Sequence, residues 1–213
     1  LLASAGVPLT PVEVVATAAE AVRCWRRLGG PVVLKADVPG MLHKSGAGGV
    51  LTGLDSADQV RRAYQVLRER FRDELRGVLV QPMAPRGVEL LLGVTSHPPF
   101  GPLFTVGLGG TATDLIADRV HCLLPATEAE LDGTLDRLRA APRLFTGETG
   151  AGVRDQLLDA ARRIAWLAAR LPEVAEAEVN PLLAGPAGAV GVDVRVRLAP
   201  ATPTDPWLRG LPT

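Results

Sequence analysis

Apolar residues recur along this chain with two periods. Val60, Ala63, Tyr64, Leu67, Phe71 and Leu75 stand at steps of three and four and predict a helix over about 57–75. Val153, Leu157, Ala161, Ile164, Leu167 or Ala168, and Leu171 predict another over about 153–171, ended by Pro172. Capping pairs mark three helix starts: Thr17 with Glu20 before 18–28, Ser56 with Gln59 before 57–75, and Thr127 with Glu130 before 128–140. In each, the hydroxyl can accept one orphan backbone N–H while the acid or amide reaches back to another.

Between the helical stretches lie strand-like runs: "PVVLKA" (31–36), "GVLVQPM" (77–83), "VELLLGVT" (88–95), "PLFTVGL" (102–108), "EAEVNPLLA" (176–184) and "AVGVDVRVRL" (189–198). The last alternates valine with polar residues and predicts a strand with one wet face. Helices and strands interleave, so the expected class is α/β with mixed sheets. "GPAG" at 185–188 reads as a hairpin turn. The Pro-rich segment 199–213 reads as a loose end or a strap.

Composition narrows the function classes. The 213 residues carry 23 basic and 23 acidic side chains, so no overall field favours nucleic acid or an anionic membrane. An anionic ligand must be met by a local site. Apolar residues make up 47%, yet no run is long enough to span a bilayer. The two cysteines, Cys24 and Cys122, lack metal-type spacing, and a reduced, cytoplasmic setting is the simpler expectation. The opening "LLASAGVPLTP" lacks both a signal peptide's basic flank and an initiator Met, and is expected to be the start of an excised domain or trimmed product.

The last hairpin makes a geometric statement. Folding the chain about Pro186 and Ala187 sets Asn180 opposite Asp193 and Glu178 opposite Arg195. Pro181 holds Asn180 extended. An amide oxygen beside a carboxylate suits Mg²⁺, which takes a few protein oxygens, waters and substrate phosphates. The competing reading is a surface network, Glu178 with Arg195 and Asn180 with Asp193. Lys35 sits in a run fit for burial, where an anion such as a nucleotide phosphate would compensate its charge. Otherwise it is an edge-strand lysine in water.

"KSGAGGV", Lys44 to Val50, and "GLGGTATD", 107–114, are glycine-rich and could turn successive N–H groups towards an anion, or be ordinary turns. Asp114 and Asp118 follow at a spacing that could face a cation. His43 reads as a base, a phosphate acceptor or a polar loop residue, with Lys44 beside it favouring the neutral imidazole. His97 and His121 look isolated and receive no role.

Taken in order, "PVVLKAD", "MLHKSGAGGV", "GVLVQPM", "GVELLLGV", "FGPLFTVGLGG" and "EAEVNPLL…GVDVRVRL" resemble the ATP-grasp region of the NDP-forming acyl-CoA synthetases. That family includes ADP-forming acetate–CoA ligase and is similar to the succinyl-CoA synthetase β subunit. The same region occurs fused to an acetyltransferase domain in protein lysine acetyltransferases. The resemblance covers about 5–198.

It implies an ATP-grasp fold, two α+β lobes enclosing a nucleotide cleft, with a small lobe over about 18–80 and a larger one over about 84–198 plus the N-terminal segment. It implies that Lys35 touches the ATP phosphates, that Gln81, Pro82 and Met83 line the adenine side, and that Glu89 lies towards the ribose or the nucleotide. Asn180 and Asp193 would hold Mg²⁺ with Glu178 in support. His43 would match a histidine that passes a phosphoryl group. Lys44, Ser45, Gly48, Gly49 and Asp114 would lie by the nucleotide.

Three departures stand out. Asp114 occupies a place where the family often has Glu, and Thr149 one where it usually has an arginine. The CoA-binding and ligase domains are absent, so CoA and the rest of the reaction belong to partner domains in cis or in trans. The expected function is therefore an ATP/ADP- and Mg²⁺-binding phosphoryl-transfer domain. The alternative is a degenerate nucleotide-sensing domain fused to a lysine acetyltransferase. A carboxylate–amine ligase of the wider class fits the "HKS" and "NPLL" pieces less well.

Overall fold

The computed structural model describes residues 1–41, 46–97, 100–110 and 117–200, with the backbone alone at 148 and 149. The chain divides into two compact units, Thr10–Ala84 and Leu1–Leu9 with Pro85–Thr213.

The smaller unit contains β1 (Glu13–Val15), α1 (Ala18–Leu28), β2 (Val32–Asp37), β3 (Val50–Leu54), α2 (Ala57–Phe71) and β4 (Gly77–Pro82). The strands form one antiparallel sheet in the order β1-β4-β2-β3. Ala21, Val22 and Cys24 of α1 and Val60, Ala63, Tyr64 and Leu67 of α2 meet Val32, Leu34, Ala36, Val78 and Val80 in one core. The period-two alternation leaves Val33, Lys35, Leu79 and Gln81 on the opposite face.

The larger unit contains β5 (Val88–His97), β6 (Gly101–Leu108), β7 (Arg119–Leu123), α3 (Glu128–Asp136), α4 (Ala141–Leu144), α5 (Gly147–Arg170), β8 (Val174–Gly185), β9 (Gly188–Gly191) and β10 (Val194–Leu198). Its sheet runs β10-β8-β5-β6-β7, with β9 also paired to β8. Leu92, Val94, Phe104, Val106, Ala177 and Val179 on one face pack with Leu131, Leu135, Leu157 and Ile164 of the helices. Leu2 and Val7 join this core, and Gly191 N–H donates to Pro8 O at 2.8 Å. The first nine residues thus complete the larger unit.

The helix starts fall where the capping pairs predict, but the reciprocal bond differs. Only Thr127 and Glu130 exchange both bonds. Glu20 reaches past Thr17 to the N–H of Ala16, and Gln59 reaches past Ser56 to that of Asp55. α5 begins at Gly147 rather than near 153, because its glycine-rich start hides the helical period. The stretch predicted as 128–140 ends at Asp136, and the amides of Arg139 and Ala140 turn to the buried Asp118 carboxylate. β1, β3 and β7 carry no strong strand signal. The last predicted strand is broken between Gly191 and Val194, and β10 is exposed on both faces as a sheet edge rather than on one.

Both cysteines are free thiols. Burial raises the pKa of Cys24, and the nearby Glu13 carboxylate adds to the shift. Among the described residues, no helix is long and apolar enough to cross a membrane.

Candidate functional site

The larger unit's sheet has one face on the helices and one polar face. On the polar face β8 carries Glu176, Glu178 and Asn180 in alternation with the buried Ala177 and Val179. The hairpin register is the expected one: Leu182 pairs with Gly191 and Val179 with Val194. Between those pairs Asn180 N–H donates to Asp193 O at 3.0 Å, and Val192 N–H donates to Pro181 O at 3.1 Å. The backbones of Asn180 and Asp193 therefore meet across the hairpin. On its other side β8 is bulged: Leu90 pairs with Leu182 and Leu92 with Val179, so Leu91 alone opposes Asn180 and Pro181. The Asn180–Pro181 bond is cis.

The turn after β6 comes to the same place. Gly109 N–H donates to Glu89 O at 2.8 Å, and Gly110 N–H donates to Asn180 Oδ1 at 3.2 Å. Gly110 has φ +77°, and a Cβ there would overlap the Glu89 carboxylate. The first part of the "GLGG" run thus serves as a close-approach turn that gathers Glu89 and Asn180.

The side-chain pairings of the surface-network reading are not the ones seen. Arg195 lies opposite Glu178 but bonds Glu176 at 3.2 Å, and Arg197 reaches the same carboxylate at 3.5 Å. Glu178 instead takes Asn180 Nδ2 at 3.4 Å, and Asp193 Oδ1 accepts the N–H of Val194 at 3.0 Å. The oxygens of Glu178, Asn180 and Asp193 make a hard donor set, two carboxylates and an amide. That chemistry fits Mg²⁺ with the remaining positions left to phosphate and water. Among the described residues, no three His, Cys, Asp or Glu side chains converge as a complete metal cage.

Asp118 is corrected as a cation candidate. It is 4% exposed, and its two oxygens accept the amides of Arg139 and Ala140 at 3.0 and 2.9 Å.

In the smaller unit, β2 lies between β4 and β3, so Lys35 is not on an edge strand. It is buried at 6% exposure, opposite Leu79 and Val50. Gln81, also buried, is on the adjacent strand opposite Val33, and its Nε2 donates to Thr10 Oγ1 at 3.0 Å. Pro82 ends β4, and Met83 is exposed while its N–H donates to Pro31 O. Gly48 has φ +66°, and the Arg70 guanidinium fills the space a side chain would take, donating to Gly48 O at 2.6 Å. Gly49 O accepts the N–H of Ala36.

His43, Lys44, Ser45 and Asp114 lie outside the described residues, as does the side chain of Thr149. Sequence reasoning passed over His121. It stands on the polar face beside Thr105, at 2.8 Å from Oγ1 to Nδ1. Strand alternation in "RVHCL" was the available signal.

The ATP-grasp domain profile matches residues 1–198. The β subunit of ADP-forming acetate–CoA ligase I from Pyrococcus furiosus is 31% identical over 200 residues, covering 91% of this chain and 86% of that one. The ADP-forming 4-hydroxybutyrate–CoA ligase of Nitrosopumilus maritimus is 30% identical over 190 residues, but the match covers 27% of that longer protein. The acetyl-coenzyme A synthetase 1 of Ca. Korarchaeum cryptofilum, solved with coenzyme A and Ca-AMPCP, superposes with a TM-score of 0.85 at 35% identity, covering 93% of this chain and 89% of that one. In a form of that protein with coenzyme A and Mg-AMPPCP, its phosphohistidine segment points towards the nucleotide site, and the TM-score is 0.78. The fold is accordingly mixed α/β with ATP-grasp topology. The chain belongs to the ATP-grasp domain family and resembles within it the β subunits of the NDP-forming acyl-CoA synthetases.

Proposed function

We propose that this chain binds ATP or ADP with Mg²⁺ and transfers the terminal phosphoryl group, as the nucleotide-handling part of an acyl-CoA synthetase of the acetate–CoA ligase type. The observation that carries the reading is the pairing of Asn180 with Asp193, beside Glu178 and the Gly109–Gly110 turn. Asn180 and Asp193 would hold the cation, with Glu178 orienting the Asn180 amide. The bound Mg²⁺ would supply neutralisation of the triphosphate charge.

The remaining work belongs to the chain's own residues. Lys35 would meet phosphate oxygens with a buried ammonium, which is stronger there than in water. Gln81, Pro82 and Met83 would take the adenine and Glu89 the ribose. Gly48 and Gly49, with Lys44, Ser45 and Asp114, would approach the phosphates, and His43 would accept the phosphoryl group. The CoA-binding and ligase domains would be supplied in cis or in trans, in the cytoplasm. A nucleotide-sensing module without turnover is the second reading, favoured by Thr149 standing where the family usually has an arginine. The relatives named above are CoA ligases, so the reading does not call on an acetyltransferase.

Calorimetric titration of the chain with ATP and ADP, with and without Mg²⁺, tests the reading. Mg²⁺-dependent heat is expected; a flat trace from folded protein in every arm would discard it.

A further inference from the structure

The end of the large sheet from which the Pro-rich segment departs also carries an open apolar groove. Arg197, Glu176, Thr95, Leu103 and Leu123 form one row across five strands. Just beyond that row lie Ala199, whose N–H donates to Glu173 O at 2.9 Å, and Leu124, whose N–H donates to Pro102 O at 2.9 Å. Between them, Phe100 is exposed at the turn from β5 to β6. α5 ends on the same side, since Val174 N–H donates to Leu171 O at 3.0 Å.

The groove, of about 220 Å³, lies between the last turns of α5 and the segment that joins β7 to α3. Trp166 borders it with 56% of its surface exposed, an unusual setting for an indole on a helix that otherwise packs into a core. Ala165 and Ala169, one turn apart, leave room beside the ring, and the exposed Pro125 stands on the other bank. Towards the start of α5 the groove is bordered by the Arg162–Glu128 ion pair at 2.8 Å. Towards its end the Arg170 guanidinium lies 6.0 Å from the centre of the Trp166 ring. An open aromatic with a cation beside it is the kind of surface that receives extended proline-rich chain.

The same chain carries such a segment. Residues 201–213 lie outside the described residues and past position 198, where the ATP-grasp profile stops. They include Pro203, Thr204, Asp205 and Pro206, a P-x-x-P spacing, followed by Trp207 and Leu208. Ala199 and Leu124 are four strand spacings apart, roughly 19 Å. Trp207 is eight residues past Ala199, and a proline-rich run of that length reaches about 25 Å. The reach is therefore sufficient, and a tether this short gives the segment an effective concentration in the millimolar range.

We propose that residues 203–208 seat in this groove of their own chain. Pro203 and Pro206 share one side of a three-residue turn and would lie on Trp166, with Trp207 between Pro125 and Ala169 and Asp205 towards Arg170. The segment would then act as a strap across one end of the larger unit. Groove and segment belong to that unit, so the inference owes nothing to the nucleotide reading.

NMR on the full chain tests this, with the Trp207 indole signal assigned as the one lost in Trp207→Phe. Nuclear Overhauser contacts are expected from the Trp207 indole to the Trp166 ring and the Ala169 methyl. Ala169→Glu, at an exposed helix position, should abolish them while the melting temperature stays within about 5 °C of the parent. Trp207→Ala, outside the packed core, should shift the Trp166 indole signal. A Trp207 signal at the position of an unstructured residue, without those contacts, would overturn the proposal. So would a Trp166 signal indifferent to Trp207→Ala. Contacts seen only between differently labelled copies would assign the groove to a second molecule and overturn it equally.

Discussion

The backbone N–H of Gly110 donates to Oδ1 of Asn180 at 3.2 Å, joining the glycine turn after β6 to the strand that faces Asp193. The amide is thereby held in one orientation, with its Nδ2 towards Glu178. A cation bound there would add a partner to oxygens already positioned. Asp193→Ala should lower Mg²⁺-dependent ATP affinity at least about tenfold, or roughly 1.4 kcal/mol. Calorimetry with and without EDTA reads this directly. Unchanged affinity would remove the hairpin from nucleotide binding.

Lys35 offers a separation of stability from binding. It is buried on an interior strand, and Met preserves the stem while removing the charge. Lys35→Met should keep the melting temperature within about 5 °C of the parent. Its ATP affinity should fall by about tenfold or more. Equal ATP binding by the two proteins would show that the ammonium meets something other than phosphate.

Asp118 should behave in the opposite sense. Asp118→Ala strips the amides of Arg139 and Ala140 of their acceptor in a buried setting, at a cost of about 2–3 kcal/mol. Mg²⁺-dependent ATP binding at saturating protein stability should be unchanged. Denaturant unfolding and calorimetry on the same sample check both halves.

Arg154 on α5 joins Asp132 and Asp136 of α3 at 2.8 and 2.6 Å. Its hydrogen bond holds the Asp136 carboxyl below the ordinary carboxylate value, against the opposing effect of burial. A depressed acid contributes stability that is present above its unfolded pKa and lost as pH falls through the folded one. Asp136 is largely exposed, so solvent screening leaves the network worth about 1 kcal/mol. Arg154→Met should cost about that much at pH 7. The difference between parent and variant should shrink as urea titrations move below the usual carboxylate range. A difference constant down to strong acid would contradict the ion-pair account.

The sequence carried the local signals well and the lateral ones poorly. The turn at Pro186–Ala187 and a period of two set the Asn180–Asp193 pairing without reference to the rest of the fold, and the pairing is present. The caps at Thr17, Ser56 and Thr127 were equally local. Lys35 was ambiguous because strand order, which decides edge from interior, is a long-range property. The competing surface reading pairs Glu178 with Arg195 by register alone, whereas side-chain length lets Arg195 and Arg197 converge on Glu176. His121 received no role because its neighbours Thr105 and Gly93 reach it only across strands, through separations that no motif spans. β3 and β7 went unread because Gly53 in one and the charged and polar residues in the other obscure the alternation.

Leu9 forms a parallel bridge with Gly191, two residues before Asp193. The N-terminal segment is therefore a brace for the final hairpin, and cutting back or tagging the chain near Leu2 and Val7 would slacken carboxylate placement almost two hundred residues downstream. Boundary choice in any shortened version should be judged by cation affinity as well as by yield.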